Sequence, residues 1–330
     1  MKKCTLCIFE RTATRVDYLI EKEYDGKTVK EIVRRPLGIS MATLKHLKFL
    51  ERGILLNGER VTVRAIVHEG DLLTLEVEDN EPQEKLEPVD LPLDIAYEDE
   101  FLVVPNKPAD MPTHPSHDHY TDTVANALAF RYKKLSLPFV FRPINRLDRN
   151  TSGLLMIARD RISANTLSEA MRKRQIEKQY IAVLDGIPDS DGGIIETYIR
   201  RTAESIIVRE NCSENEGGDH ALTEYRVILA ENGHSIVLAK PLTGRTHQLR
   251  VHFAGIGCAI TGDDMYGSPS KTIPRHALHS HVLSFPHPKT SEKITVKAPL
   301  PKDMRELIES AFSSEAIDSL KACEPELFGI

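Results

Sequence analysis

Four segments that alternate apolar and polar residues between positions 194 and 240 constrain the fold most. They lie around Tyr198, Ser205, Thr223 and Ser235. An alternation with a period of two residues is typical of strands that bury one face. Several such strands joined by turns predict a large, mostly antiparallel sheet. The polar residues 186–193 and 211–219 read as surface loops between them.

Helical patterns flank these strands. Residues 123–131 and 163–174 each predict a helix, and residues 95–107 predict a hairpin. Farther along, Leu249, Phe253 and Ile256 recur at helical spacing, with Thr243 as a possible N-cap. This would place Arg245 in the first turn of that helix. The acidic, amphipathic residues after 304 predict a docked helix or a loose tail. The fold class is therefore α+β, with a large mixed sheet between residues 93 and 303.

The first 80 residues predict a small α+β domain with its core at about 14–78. Val16, Leu19 and Ile20 have helical spacing, Ser40 can cap a helix that Gly53 ends, and Asn57-Gly58 predicts a hairpin turn. Residues 81–92 are acidic, contain three prolines and predict a linker. Basic side chains decorate the helices, and they form either a solvated face or a phosphate-binding face: Lys30, Arg34, Arg35, Lys45, Lys48 and Arg52.

Composition excludes some classes of function. The net charge of −6 argues against a uniformly basic nucleic-acid binder, although a local basic face is compatible with it. No apolar run reaches membrane-spanning length, and we expect a cytoplasmic protein without a signal peptide. The five cysteines are scattered, and Cys4-x-x-Cys7 has no second pair at zinc spacing. We therefore expect free thiols rather than a metal site there.

The stretch 142–153 is the densest in functional side chains. Its one carboxylate, Asp148, sits among Arg142, Arg146 and Arg149, and Gly153 permits a close backbone approach. The apolar residues 154–158 that follow predict a buried strand. Such a cluster is either a salt-bridged turn or a loop that presents an acid at the edge of a core strand.

The order Arg146-Leu-Asp148-x-x-Thr-Ser-Gly153 resembles the catalytic motif of RluA-type pseudouridine synthases. Further motifs extend the resemblance over about residues 95–300; they are Asn106-Lys107-Pro108, Lys178-x-Tyr180, Gly-Arg245-Thr-His247-Gln-Leu249-Arg and Gly262-Asp-Asp-Met-Tyr266-Gly. Two positions depart from the family pattern, since Asn145 stands where His is usual and Asp110 where Gly is frequent. The first 80 residues resemble an S4 RNA-binding domain.

The resemblance implies a role for each matched residue. Asp148 would be catalytic, Arg245 its ion-pair partner, and Tyr180 the aromatic ring that stacks on the target base. Arg146 would enter the RNA as the base leaves the stack, and Leu249 would pack behind Tyr180. The remaining residues would contact RNA, the last four of them on the S4-like helical face: Lys107, Lys178, His247, Arg34, Arg35, Lys45 and Lys48.

Three functions remain to be compared. The favoured one is an RNA pseudouridine synthase without metal or cofactor, acting as a monomer, most readily on large-subunit ribosomal RNA and alternatively on tRNA. Asp148 could then add to the sugar or abstract a sugar proton. A catalytically inactive RNA-binding or ribosome-assembly factor with the same fold is the alternative that Asn145 and Asp110 favour. A metal hydrolase using His114, His117 and His119 lacks carboxylate ligands at metal spacing.

Overall fold

The computed structural model describes residues 14–77 and 86–330, which form two sheets with helices against them. Cys4, Cys7 and the first part of the expected linker lie outside these ranges. No helix in the described part of the chain is long and apolar enough to cross a bilayer.

The small sheet has the antiparallel order β1-β4-β2-β3. Its strands are β1 (Thr14–Leu19), β2 (Ile54–Leu56), β3 (Glu59–Arg60) and β4 (Leu72–Val77), with helices α1 (Val29–Arg34) and α2 (Met41–Leu47). The expected hairpin at Asn57-Gly58 and the Ser40 cap, whose side chain accepts from Thr43 N, are confirmed. The helical interpretation of residues 16–20 was wrong. Every second residue of β1 faces outward, which is the periodicity of a strand.

Gly53 has a different role from the expected one. Helix α2 already ends at Leu47, so Gly53 is not its terminating residue. A Cβ atom at position 53 would lie 2.1 Å from the carbonyl oxygen of Leu47. Glycine is therefore required here because two stretches of backbone pass too close for any side chain.

Twelve strands of the described chain form the large sheet. They are β5 (Asp94–Glu98), β6 (Leu102–Lys107), β7 (Arg142–Pro143), β8 (Ser152–Leu154), β9 (Ile157–Ala158), β10 (Glu177–Asp185), β11 (Gly192–Arg201), β12 (Arg209–Cys212), β13 (Asp219–Glu231), β14 (His234–Pro241), β15 (Leu278–Pro286) and β16 (Lys293–Lys297). The main path runs β12-β11-β13-β14-β10-β15-β8-β6-β9-β7, with β16 on β15 and β5 on β6. The β8–β15 pair is parallel, and the other pairs between named strands are antiparallel. This confirms the expected mixed, mostly antiparallel sheet.

Within residues 86–330, five α-helices accompany the large sheet: α3 (Val124–Lys134), α4 (Arg161–Arg172), α5 (Gln248–Gly255), α6 (Lys302–Ala311) and α7 (Ser314–Cys323). The C-terminal segment is docked rather than loose, because Met304, Leu307, Ile308 and Leu320 are buried in the core of the large sheet. Residues 211–219 are more ordered than a plain loop, since they contain the end of β12 and a short 3₁₀ helix.

Helix α4 joins the two sheets. Its Asn165 accepts a hydrogen bond from Ser40 N at 2.6 Å and donates one to Gly38 O at 2.8 Å. Ile162, one turn earlier, is buried within the apolar core of the small sheet. The small sheet thus packs against the larger part of the molecule through both polar and apolar contacts.

Lys107, expected to contact RNA, is fully buried at the end of β6, so that expectation was wrong. Its ammonium group donates to the carbonyl oxygens of Pro108, Met111 and Arg149, each at 2.8 Å. Three carbonyl acceptors match the three donors of a lysine side chain. Lys107 therefore fixes the 108–111 loop against the turn that follows Asp148.

Burial, reinforced by the charge of Arg275, lowers the pKa of Lys107 from 10.5 to about 7. Between these two values the unfolded chain binds a proton that the folded chain lacks. The stability that this group contributes therefore rises as pH increases from about 7 towards 10.5. It is lost as pH falls back to about 7, below which both states carry the proton.

We predict that Lys107→Met destabilises the protein, because it removes the donor from three carbonyl groups, and leaving a buried one such as that of Met111 unpaired costs about 1–3 kcal/mol. The difference in free energy of unfolding between wild type and variant should grow between pH 7 and pH 9 by up to about 1.4 kcal/mol per pH unit. Wild type becomes more stable over this range as folded Lys107 loses its proton, whereas methionine has no proton to lose. Urea unfolding at the two pH values measures both effects. The control is Lys133→Met, at an exposed position of α3; an equal loss in the control, or a pH-independent deficit, would contradict the prediction.

Candidate active site

A cleft of about 700 Å³ lies at the loop between β7 and β8, and a smaller cavity of about 100 Å³ adjoins it. Asp148 lines both, with its side chain 32% exposed, and it is the one carboxylate among the described residues that line them. Basic side chains surround it: Arg146, Arg149, Lys178, Arg201, Arg209 and Arg245. The cleft thus concentrates positive charge on a protein whose total charge is negative, which suits a polyanionic substrate.

The backbone around Asp148 is tightly constrained. The carbonyl oxygen of Asp148 accepts a hydrogen bond from Thr151 N at 3.1 Å, which closes the turn. Gly153, where β8 runs close to β15, has a backbone φ of 109°. A Cβ atom at Gly153 would lie 2.3 Å from Ser280 O. Glycine at position 153 is therefore needed for the close parallel contact between β8 and β15 that follows the loop carrying Asp148.

The expected ion pair between Asp148 and Arg245 is wrong. Arg245 instead places its Nη1 3.7 Å from Asp219 Oδ1 and donates from Nε to His220 O at 2.9 Å. This difference arises because α5 begins at Gln248, three residues after Arg245. The Oε1 atom of Gln248 accepts hydrogen bonds from Arg245 N and from the Thr243 hydroxyl. Arg245 therefore lies in the turn before the helix, on the rim of the cleft.

Arg250, which sequence reasoning did not single out, is the cation near Asp148. Its Nη1 is 3.9 Å from Asp148 Oδ2, while Nε and Nη2 each donate to Asp263 at 2.7 Å. Burial opposes its charge, but the hydrogen bonds and charge of Asp263, with that of Asp148, raise its pKa above the ordinary value. The guanidinium carbon also lies 4.9 Å from the centre of the Tyr266 ring. Both acidic partners occur in the motifs that carry the family resemblance.

Tyr180 and Leu249 form the apolar wall of the smaller cavity. Both side chains are buried in the core of the large sheet, and Tyr180 lies on the central strand β10. Burial raises the pKa of Tyr180 to about 12, so its hydroxyl stays protonated at neutral pH. The wall can therefore offer an aromatic ring to a base that enters the cleft.

The remaining residues that were expected to contact RNA lie at different depths in the cleft. Arg146 is exposed at the rim, and Lys178 is half-buried, where burial lowers its pKa. His247, in the left-handed conformation with φ of 58°, lines the smaller cavity and has its Nδ1 2.7 Å from the Tyr266 hydroxyl. Burial also lowers the pKa of His247, with Asp148 acting in the opposite direction. All three line the cleft or the smaller cavity.

The two departures from the family pattern fit the local structure. Asp110 has φ of 61°, a conformation that Gly favours and Asp tolerates better than most residues, and its carboxylate lies 2.7 Å from Arg149. Asn145 accepts a hydrogen bond from Met156 N at 2.8 Å, while its Nδ2 is buried and has no partner among the described residues. Asp110 thus suits the backbone conformation of its loop, whereas Asn145 anchors its loop through one hydrogen bond and leaves one buried donor unpaired among the described residues.

The histidines of the 114–119 loop are not arranged as metal ligands. His119 lies between Asp122 at 2.6 Å and Arg149 at 3.0 Å, and burial lowers the pKa of His114. The part of the chain that the structure describes contains no group of three His, Cys, Asp or Glu side chains able to hold a metal ion.

Comparison with known proteins identifies the family. Residues 101–255 match the family model for RNA pseudouridylate synthases. The chain is 37% identical over 281 residues to the uncharacterized RNA pseudouridine synthase YjbO of Bacillus subtilis, which covers 85% of this chain and 98% of that one. It is 35% identical to ribosomal large subunit pseudouridine synthase D of Vibrio cholerae, covering 78% and 83%.

A solved structure agrees with this assignment. Human RNA pseudouridylate synthase domain containing 1 superimposes with a TM-score of 0.54 and 27% identity, over 73% of this chain and 98% of that one. The chain therefore belongs to the RluA-type RNA pseudouridine synthases, isomerases that act on RNA.

Proposed function

We propose that this enzyme isomerises specific uridines of large-subunit ribosomal RNA and that Asp148 is its catalytic residue. The observation that carries the proposal is the position of Asp148, the one carboxylate among the described residues lining a basic cleft, with the buried cation Arg250 beside it. The name of the Vibrio cholerae relative supports ribosomal RNA rather than tRNA as the substrate. We further propose that the enzyme acts as a monomer in the cytoplasm.

The reaction breaks the bond between sugar C1′ and uracil N1, turns the base, and joins C1′ to C5. One proton leaves C5 and one is gained at N1, so there is no net oxidation or reduction. Ionised Asp148 either adds to C1′ as a nucleophile or removes a proton from the neighbouring sugar carbon. Both routes require the charged carboxylate, which lies 3.9 Å from the guanidinium group of Arg250.

The other cleft residues would handle the base and the strand. A stacked uridine must leave the helix to be turned, at a cost of a few kcal/mol. In this proposal Arg146, exposed at the rim, occupies the space that the base leaves, while Tyr180 stacks on the base inside. Lys178 and Arg245, which line the same cleft as Asp148, then contact phosphates or the uracil edge.

We predict that Asp148→Asn abolishes pseudouridine formation but leaves RNA affinity nearly unchanged, because it keeps the shape and removes only the charge. The assay is a pseudouridine map of ribosomal RNA and tRNA from cells lacking the gene, complemented with wild type or with Asp148→Asn. Sites restored only by wild type, in large-subunit RNA, are the expected result. Restoration by Asp148→Asn would overturn its catalytic role. Restoration by neither protein would favour the inactive assembly factor.

A second prediction compares two arginines of the same motif. Arg250→Lys should lower stability by about 1–3 kcal/mol, because lysine cannot make both hydrogen bonds to buried Asp263. It should also lower turnover by about 10²-fold, since Asp148 then loses its oriented partner. Arg245→Lys, whose side chain is 39% exposed, should change stability by less than about 0.5 kcal/mol. Stability is measured by urea unfolding and turnover by a single-turnover assay. Equal losses of stability and turnover in both variants would refute the role of Arg250 as the partner of Asp148.

We also propose that residues 1–80 form an S4-like domain that adds RNA affinity, followed by a linker at 81–92 and the catalytic domain at 93–303. Arg35, Lys45 and Lys48 are exposed on or beside α1 and α2, and Lys48 also lines a groove with Arg60 and Arg64. Arg34 is exposed too, although its Nη1 donates to Ile39 O at 2.5 Å. Such side chains bind phosphates without reading sequence.

We predict that the double variant Lys45→Ala/Lys48→Ala weakens RNA binding and flattens its dependence on salt. The slope of log affinity against log salt should fall by about 0.7–0.9 for each phosphate that the protein no longer neutralises. The single-turnover rate at saturating protein should stay the same. The matched control removes two exposed lysines outside these helices, Lys22→Ala/Lys27→Ala; an unchanged slope in the first variant, or the same change in both, would count against the domain's role.

A further inference from the structure

The turn that carries Asp148 is held at each of the four residues that follow it. Every anchor comes from outside the turn, and three of the four belong to β15 or to the residues just before it. The anchors are Lys107 on Arg149 O at 2.8 Å, Arg275 on Asn150 O at 3.1 Å, His276 on Thr151 Oγ1 at 2.8 Å and His279 on Ser152 Oγ at 2.9 Å.

Arg275 makes more hydrogen bonds to this turn and to the residues around the start of β15 than the other anchors do. It is almost fully buried, with 4% of its side chain exposed. Its Nη1 also donates to His276 O and Leu278 O, and its Nη2 donates to Ser152 Oγ at 3.3 Å. All of these acceptors are neutral. A buried guanidinium group needs a carboxylate as well, because an unpaired charge in the interior is strongly destabilising.

That carboxylate comes from the C-terminal segment. Asp303, in the first turn of α6, accepts from Arg275 Nε at 2.7 Å and from Nη2 at 3.0 Å. Within residues 14–77 and 86–330 it is the one carboxylate within ion-pair distance of Arg275. The buried residues Met304, Leu307 and Ile308 attach α6 to the core of the large sheet, so the carboxylate has a fixed position.

We propose that Asp303 is a positioning residue for the isomerisation, which it supports by orienting Arg275 against the turn of Asp148. This inference rests on the proposed catalytic role of Asp148. Neither Arg275 nor Asp303 lies within the segment 101–255 that matches the family model. The C-terminal helix thus contributes to the geometry of the cleft without touching the substrate.

The test is Asp303→Asn, which keeps the size and one acceptor oxygen but removes the charge and the two-point contact. We expect the single-turnover rate at saturating protein to fall about tenfold or more, because displacing a reacting group by about 1 Å can cost 10²-fold. The dissociation constant for the RNA should not change measurably. Asp303→Glu, which restores the charge on a longer side chain, should recover part of the rate.

Two control variants separate positioning from loss of stability. Leu320→Ala removes a buried side chain from α7, which loosens the C-terminal helices away from Arg275. Glu309→Ala removes an exposed carboxylate from α6. Thermal unfolding identifies a temperature at which every variant is folded, and the rates are compared there. We expect both controls to react at the wild-type rate.

Two results would overturn the proposal: a wild-type rate in Asp303→Asn, or an equal loss in Leu320→Ala at matched thermal stability. Asp148→Asn is measured in the same series. If Asp148→Asn is inactive while Asp303→Asn is fully active, only the role of Asp303 fails. If Asp148→Asn retains turnover, the proposed function of Asp148 fails instead.

Discussion

Arg250 is a buried cation, and much of the active-site architecture follows from what that charge requires. Its side chain is 6% exposed, and Asp263, which is fully buried, accepts two hydrogen bonds from it. Asp263 in turn accepts from the backbone N–H groups of Met265 and Tyr266, which shapes the 263–267 turn. Because Asp263 satisfies most of the guanidinium, Asp148 can lie at 3.9 Å and remain partly exposed to substrate.

The turn that carries Asp148 depends on polar groups that the fold removes from water. Burial lowers the pKa of His276 and of His279 to about 3, so both imidazoles are neutral where they meet Thr151 and Ser152. Arg275 adds a buried positive charge beneath the same turn, and Lys107 adds a buried amino group that donates hydrogen bonds. Each group is satisfied by named partners, and such networks hold a single conformation more firmly than apolar packing does.

The sequence was informative where structure is local. The Ser40 cap accepts from Thr43 N, three residues on, and the Asn57-Gly58 turn joins paired Leu56 and Glu59, so both short-range features occupy the expected positions. The alternation around Tyr198, Thr223 and Ser235 likewise predicted strands of one sheet. The strand expected around Ser205 was wrong, because residues 202–208 form turns with Ile206 and Ile207 exposed, and the next strand begins at Arg209. The short apolar run at 16–20 gave a wrong helix prediction, because so few residues cannot distinguish a strand from a helix. The antiparallel pairing of β1 with β4 determines that the segment is a strand.

Side-chain roles that depend on distant partners could not be inferred in this way. Arg245 and Arg250 stand five positions apart in one motif, and the start of α5 at Gln248 decides which of them approaches Asp148. The position of Lys107 beneath the turn depends on Met111 and Arg149 together, the second being 42 residues away. Burial and long-range pairing are properties of the assembled sheet rather than of any motif.

Helix α4 has a geometric consequence for how RNA can be read. Near its start, Asn165 and Ile162 bind the small sheet, and near its end Met171 lines the cleft. Six residues of α-helix separate Asn165 from Met171, a rise of about 9 Å. Helix α4 therefore holds the small sheet and the cleft at a fixed separation, so an RNA chain bound to both would be contacted at two points a set distance apart.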